Sequence, residues 1–343
     1  MNVMVTGGAG YIGSHAVQRL LAEGHRVVVI DNLVRGHAEA IDALRHQAGA
    51  RLRFEVLDVG DELAVEALLS EHEVSTVMHF AALAYVGESV DQPLWYYENN
   101  VSAAVRLLSA CDRAGVARFV FSSSCATYGQ PADDSIPITE TCVQYPVSPY
   151  GQTKLMFEHV LRDWSAGRAR SGTPIAVAML RYFNVAGADR TGVLGEDHDP
   201  ESHLIPVAIQ GALGQREHLT IFGTDYPTPD GTCVRDYVHV EDLIDAHVRV
   251  MEALEPGDVR AYNVGIGRGH SVREVIASVE RVTGRRLDVR AGERRAGDPA
   301  SLYNDPRLIA SDLGWKASIT ELDAIVDSAW QWFKRHPSGY KSR

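Results

Sequence analysis

The stretch VMVTGGAGYIGSH, residues 3 to 15, decides the fold of this chain. Val3 to Thr6 is a short apolar strand, and from Ser14 to Glu23 the apolar residues Val17, Leu20 and Leu21 recur at helical spacing until Gly24 stops them. A glycine-rich loop between a strand and a helix is the context that gives such a loop a meaning. Gly7, Gly8 and Gly10 permit a tight turn and close backbone approach, and Gly13 lets the helix pack on the strand. The pyrophosphate of a dinucleotide would lie on the helix N-terminus, where unpaired amides and the positive end of the dipole favour anions, with Tyr11 and Ile12 among the expected cofactor contacts. A second strand, Arg26 to Ile30, ends at Asp31, 18 residues after Gly13, where a carboxylate can accept both ribose hydroxyls. A 2′-phosphate would meet like charge there, so Asp31, followed by Asn32 and Leu33, favours NAD over NADP. Arg35 is the one nearby residue that points the other way. Asp58, with Val59 beside it, follows a third strand and reads equally as an adenine-edge contact or a solvated loop carboxylate.

Outward from this start the alternation continues. Arg53 to Leu57, Thr76 to Phe80, Arg118 to Ser122 and Ile175 to Leu180 are β-rich runs with helical stretches between them, the pattern of an α/β protein with a doubly wound parallel Rossmann sheet. After Arg181, turn-rich segments at residues 187–200 and 223–231 separate shorter periodic pieces, which reads as a smaller C-terminal α/β substrate domain. The strand Tyr237 to Val240, the helix Asp242 to Met251 and the strand Ala261 to Val264 are expected to return to the main sheet. The expected division is therefore 1–180 plus about 236–264 for the dinucleotide domain, and about 181–235 and 265–343 for the substrate domain. Residues 336–343 are polar and expected to be mobile. Leu94, Tyr97, Val101, Val105 and Leu108 form one apolar row, and Leu155, Met156, Val160, Leu161 and Trp164 spread over a wide arc. Two readings stand: ordinary core packing, or a homodimer in which both helices meet their mates as a four-helix bundle.

Composition narrows the function classes. The 343 residues suggest about two domains, and 33 basic against 45 acidic residues leave a net charge of -12, which argues against nucleic acid or an anionic membrane as partner. An anionic small ligand remains open, since screening over about 8 Å lets a few local arginines dominate a pocket. No apolar run reaches the roughly 20 residues of a membrane span, and no signal peptide is read before the first strand, so a cytoplasmic protein is expected. Cys111, Cys125, Cys142 and Cys233 are scattered without zinc-type spacing, so reduced thiols and no metal are expected. Asn100-Val101-Ser102 matches a glycosylation sequon but carries no weight without a sign of secretion.

Tyr150 and Lys154 lie one helical turn apart after Ser148-Pro149, which puts phenol and ammonium on one face. A free tyrosine is a poor base; its pKa near 10 must fall by about 3 units, roughly 4 kcal/mol of preferential phenolate stabilisation. A neighbouring Lys⁺ and a cationic nicotinamide ring can supply that between them. Ser122, Ser123 and Ser124 end an apolar strand, with Ser124 26 residues before Tyr150. They read either as part of this constellation or as caps of a turn.

Taken together, the glycine loop and Ser124-Tyr150-Lys154 resemble the extended short-chain dehydrogenase/reductase superfamily, and within it the UDP-glucose 4-epimerase (UDP-galactose 4-epimerase) family. The resemblance runs the whole length of the chain and rests on GGAGYIGSH, the DNL at Asp31, HFAALAYVGES from His79, FSSSCATYG from Phe121, SPYGQTK from Ser148, RYFNVAGA from Arg181, HLIP from His203, GTDYPTPDGTCVRDYVHVEDL from Gly223 and RRAGDPA from Arg294. It implies that Tyr150 is the acid/base at the sugar 4-hydroxyl, that Ser124 hydrogen-bonds the same oxygen, and that Lys154 binds the nicotinamide ribose while depressing the tyrosine pKa. It implies cofactor contacts from Ser122, Asn99, Tyr182, Phe80, Ala81 and Leu83. It implies a UDP-sugar pocket of Asn184, His203, Leu204, Thr220, Phe222, Arg235, Arg295, Asp298 and Leu302, with the two arginines on the diphosphate and Asp298 on the uridine ribose. A guanidinium fork suits two phosphate oxygens better than an ammonium does. The implied reaction passes the C4 hydride to NAD, lets the 4-ketopyranose swing about its diphosphate link, and returns hydride and proton to the other face.

The sequence leaves alternatives open. A sugar-nucleotide dehydratase of this superfamily resembles its kin in carrying an Asp-Glu pair soon after the strand-end Ser/Thr; here the stretch is Cys125-Ala126-Thr127. A non-catalytic NAD-binding protein would have no need of Ser124, Tyr150 and Lys154 at this spacing. Ala84 and His203 depart from the residues many relatives carry. Leu302 stands at the position that gates the hexose pocket; being intermediate in size, it implies UDP-glucose and UDP-galactose as good substrates and N-acetylated sugars as weaker ones. The SCATYG run also resembles relatives that interconvert UDP-xylose and UDP-arabinose.

Overall fold

A computed structural model describes residues 1–295 and 298–340. Ala296 and Gly297 of the RRAGDPA stretch, and residues 341–343, lie outside the described residues. In chain order come β1 (Asn2–Thr6), α1 (Tyr11–Ala22), β2 (Arg26–Asp31), α2 (Ala38–Ala48), β3 (Leu52–Val56), α3 (Glu62–Glu71), β4 (Thr76–His79), α4 (Val86–Asp91) and α5 (Pro93–Tyr97). A π-helical turn over Glu98–Ala103 leads into α6 (Ala104–Ala114), followed by β5 (Arg118–Ser124), α7 (Pro149–Arg170) and β6 (Ala176–Tyr182). Then follow β7 (Asn184–Ala186), α8 (Leu204–Ala212), β8 (Leu219–Phe222), β9 (Val234–His239), α9 (Val240–Ala253), β10 (Val259–Val264), β11 (Gly269–Ser271), α10 (Val272–Thr283), β12 (Val289–Gly292), β13 (Ser301–Leu302), α11 (Arg307–Leu313) and α12 (Leu322–Arg335).

Seven strands form one sheet in the order β10-β6-β5-β4-β1-β2-β3. Its pairs β1/β2, β1/β4, β2/β3 and β4/β5 are parallel. This is the doubly wound order, reversing at β1. Strands covered on both faces read as continuous apolar runs, and β1 and β4 are buried from Val3 to Thr6 and from Thr76 to His79. The core of this part joins Met4, Val77, Phe119, Phe121 and Val177 of the sheet to Leu107 of α6 and to Phe157 and Leu161 of α7. Each such side chain contributes about 1.5–3 kcal/mol by leaving water.

Two compact units emerge: residues 1–129, 143–181 and 244–262, and residues 130–142, 182–243 and 263–343. The expected return of Tyr237–Val240 to the main sheet does not occur. β9 instead pairs antiparallel with β11 and parallel with β13 and β7, and the Asp236 carboxylate accepts the N–H groups of Ile266 and Gly267. An apolar run announces a strand but not which sheet it joins. Residues 130–142 likewise leave the first unit, because Ile138 bonds Tyr303, Asp305 and Asn263. In the second unit α8, α10 and α12 pack around Ile205, Ile209, Val275, Ile325 and Trp332.

Leu108, Leu155 and Leu161 are buried, whereas Leu94, Trp95, Val105 and Met156 are exposed. The C-terminal residues expected to be mobile are packed as far as Tyr340: its N–H donates to Asp197, its hydroxyl bonds Gly195, and His336 stacks on Trp332.

Candidate functional site

The glycine loop of the first unit is a cradle with no room for side chains. Gly7 has φ +69°, and a Cβ there would stand 2.5 Å from the Ala81 nitrogen; one on Gly13 would stand 2.1 Å from the Gly7 carbonyl oxygen. Gly10, the N-cap of α1, offers no side-chain oxygen to the first-turn amides, which suits an incoming anion. Asp31 is buried, and its carboxylate accepts Ala9 N–H at 3.0 Å and Leu33 N–H at 2.8 Å. Burial pushes its pKa up and these amides work against that, leaving it raised. Arg35 pairs with Glu88 and lies over the rings of Tyr85 and Trp95, so its charge is already committed. Asp58 is exposed and anchored to the Asn32 amide and Gly60 N–H, while Val59 is buried.

β5 and the first turn of α7 carry the reactive groups. Ser148 caps α7 by accepting Gly151 N–H, Pro149 takes the first helical position where its missing N–H costs nothing, and Tyr150 and Lys154 follow one turn apart. Tyr150 is 8 % exposed and packs with Leu83, Tyr96 and Ala126. Lys154 is buried; its Nζ donates to the Ser122 carbonyl at 2.8 Å and lies 5.8 Å from the Tyr150 ring centroid. Burial pulls this ammonium down to about 7. Ser124 is nearly buried, and its Oγ accepts Ala126 N–H, so it does cap a turn. That is compatible with an exposed lone pair, so neither reading of the serines displaces the other. Beneath them lies His79, held neutral at about 3 by burial and by Lys154, with Thr6 Oγ1 2.7 Å from its Nδ1.

Sequence reasoning missed the residues that brace this end. Asn100 is buried, excluding the glycan its sequon would suggest, and it grips Leu83 in both directions: Leu83 N–H donates to its Oδ1 and its Nδ2 donates to the Leu83 carbonyl, each at 2.9 Å. Asn99 donates to the same Oδ1 from the π-helical turn. Glu158, one turn beyond Lys154, pairs with Arg181 at 2.6 Å and accepts the Ser123 hydroxyl at 2.7 Å; Arg181 also donates to Tyr128 and Gln144. A carboxylate inside the apolar arc of α7 was the available signal.

The second unit gathers most of the residues expected to hold a nucleotide. Arg235 on β9 is opposite Leu302 on β13 and pairs with Asp298, so two residues read as separate ligands form one ion pair. The Arg295 guanidinium lies 4.0 Å from the Phe222 ring centroid, and Thr220 shares β8 with Phe222. Asn184 starts β7, Leu204 starts α8, and His203 is the N-cap before it. Burial would pull His203 down, but Glu196 and Glu201 outweigh it and hold the imidazole at about 10. Tyr182 ends β6 at the edge of this unit. Among the described residues, no helix is long and apolar enough to cross a membrane.

Comparison with known proteins follows the same lines. Residues 3–265 match the model of the NAD dependent epimerase/dehydratase family. The UDP-glucose 4-epimerase of Halalkalibacterium halodurans is 45 % identical, over 100 % of this chain and 98 % of the relative. UDP-arabinose 4-epimerase 1 of Arabidopsis thaliana is also 45 % identical, over 99 % of this chain and 81 % of the relative. The crystal structure of a Stenotrophomonas maltophila UDP-glucose 4-epimerase, with bound NAD and formylated UDP-arabinopyranose, superposes with a TM-score of 0.93 at 41 % identity, covering 98 % of this chain and 99 % of that one. The chain thus belongs to the NAD dependent epimerase/dehydratase family.

Proposed function

We propose that this chain is an NAD-dependent 4-epimerase that interconverts UDP-glucose and UDP-galactose through a transient 4-ketopyranose with no net redox change. The observation that carries the reading is the joint presence, in one unit, of the glycine cradle and of Ser124, Tyr150 and Lys154 at the end of β5 and the start of α7. The cradle fits a dinucleotide, since Gly7 and Gly13, where Cβ atoms would strike Ala81 and the Gly7 carbonyl, let the loop fold tightly onto the start of α1 and present its amides to a pyrophosphate, and Asp31 presents a fixed carboxylate to a ribose. NAD, when bound, supplies the acceptor for the C4 hydride and its return.

Tyr150 takes the proton of the 4-hydroxyl and later gives it back, while Ser124 bonds the same oxygen. The Lys154 Nζ lies 5.8 Å from the Tyr150 ring centroid, and a charge there favours the phenolate. The cationic nicotinamide ring of bound NAD would act in the same direction. Burial makes the charged lysine costly, so an ionised Tyr150 is also what favours its protonation. On the second unit, Arg235 and Arg295 hold the diphosphate and Asp298 the uridine ribose, with Asn184, His203, Leu204, Thr220 and Phe222 around them. Holding the nucleotide firmly leaves the hexose free to turn.

After Ser124 the chain offers Cys125-Ala126-Thr127, with no carboxylate pair to expel water, so the ketone regains its hydride. Leu302 supports hexoses over N-acetylhexosamines. A pentose substrate is a second reading, supported by relatives named UDP-arabinose 4-epimerases at the same identity as those named UDP-glucose 4-epimerases. The exposed Leu94, Trp95, Val105 and Met156 support a homodimer, to be tested by light scattering, and four free cysteines fit a cytoplasmic location. Incubating the protein with each UDP-sugar, without added reductant, and resolving the products by chromatography tests the whole reading. A new 4-epimer is expected; a 4-keto-6-deoxy product would move the chain to the dehydratases.

A further inference from the structure

The segment before α8 carries two short carboxylate–imidazole pairs of the same form, Glu196-x-His198 and Glu201-x-His203. They contain no cysteine and so lack zinc-type cysteine spacing. All four side chains converge, with one ligand atom from each within 4.8 Å of the others. His198 Nδ1 is 3.2 Å from Glu196 Oε1 and 3.5 Å from Glu201 Oε2; His203 Nδ1 is 3.1 Å from Glu196 Oε1 and 2.9 Å from Glu201 Oε1. Around a tetrahedral Zn²⁺ with bonds of about 2.0–2.1 Å, neighbouring ligand atoms stand about 3.3–3.4 Å apart. With Glu196 Oε1 and Glu201 Oε1 as donors, the separations of 2.9, 3.1 and 3.2 Å lie just below that value. The arrangement is also braced from behind, since Glu201 Oε1 accepts the N–H groups of Ser202 and His203 at 2.7 Å each.

An ordinary surface ion pair joins one acid to one base. Here two carboxylates whose side chains are 5 % and 3 % exposed face two imidazoles through the same ring nitrogen. Two sheltered carboxylates so close together need about two compensating positive charges, which either two imidazole protons or one divalent cation can provide. We propose that Glu196, His198, Glu201 and His203 form a four-ligand site for a divalent transition-metal ion, best matched by Zn²⁺. Two imidazoles with two carboxylates suit Zn²⁺ better than Mg²⁺ or Ca²⁺, which favour all-oxygen shells. With four protein ligands the site is closed and therefore structural. It ties residues 196–203 to the N-terminus of α8, where Leu204 begins, and it leaves Nε2 of each ring for other partners. The site shares His203 with the UDP-sugar pocket of the proposed function, so its test uses His198 and Glu196, which that reading does not involve.

Untagged full-length protein, stripped with chelator, should be titrated with Zn²⁺ by calorimetry, with Mg²⁺ for comparison. The expected result is one Zn²⁺ per chain with a raised melting temperature, no such response to Mg²⁺, and binding weakened by more than the roughly 10–100-fold that losing an outer-shell partner costs in His198→Ala or Glu196→Gln. Glu196→Gln, which keeps the side-chain volume, carries the test if His198→Ala does not fold. Absence of saturable one-to-one binding overturns the proposal. So does binding unchanged in both variants, which would put the ion elsewhere, for instance at Glu23, His25 and Glu252.

Discussion

Arg181 and Glu158 meet inside the first unit with 2 % and 1 % of their side chains exposed, whereas Arg235 and Asp298 meet on the second with 13 % and 32 % exposed. The sealed pair has its remaining hydrogen-bonding capacity taken up by Ser123, Tyr128 and Gln144. Nothing is left over for a ligand, and the pair serves to fix α7, and with it Tyr150 and Lys154, against β5 and β6. The open pair keeps solvent at its edge, so a diphosphate can take over part of the guanidinium fork. An arginine–carboxylate pair thus acts as a brace where water is excluded, and under the proposed function as a binding site where it is not.

Removing one member of the sealed pair leaves the other charge buried and alone. Arg181→Met should therefore cost about 3–5 kcal/mol of stability, read as a large fall in the urea midpoint; a loss below about 1 kcal/mol would mean that the pair braces nothing. Within the unit it braces, Tyr150→Phe should lower kcat by about 10²–10⁴-fold with little change in melting temperature. Arg235→Lys, by contrast, should leave stability within about 1 kcal/mol while raising KM for the UDP-sugar by about 10–100-fold, the equivalent of one or two charge-assisted hydrogen bonds. A fall in kcat at unchanged KM would show that Arg235 acts elsewhere.

Acid should separate the pairs more gently. Burial alone would push the Glu158 carboxyl up, but Arg181, Ser123 and Gln144 outweigh it and hold it below its usual value. A carboxylate with a lowered folded pKa stabilises the fold above its unfolded pKa of about 4.3, and that contribution is lost as pH falls through the folded value. The stability gap between wild type and Glu158→Gln should accordingly be flat above about pH 5 and shrink below about pH 4. Melts in matched buffers would read it, and a gap that narrows near neutrality would contradict the assignment.

Legibility followed the same division. Gly7, Gly13, Asp31, Ser124, Tyr150 and Lys154 could be placed because strand, loop and helix periods fix their positions locally. β9 was sent to the wrong sheet because apolar alternation specifies a strand and says nothing about its neighbours. The braces Asn100, Glu158 and Arg181 were missed because their partners lie far along the chain: 53 residues separate Arg181 from Tyr128, and 53 separate Asn100 from Thr153. The pairing of Arg235 with Asp298, 63 residues apart, was hidden for the same reason.

The most direct measurement uses UDP-glucose carrying deuterium on C4. If Tyr150 handles only the hydroxyl proton and the carbon-bound hydrogen leaves and returns as hydride, the UDP-galactose formed in ordinary water should keep the full label. Loss of that label to solvent during inversion would mean that C4 is deprotonated instead, and the account of this site would fail.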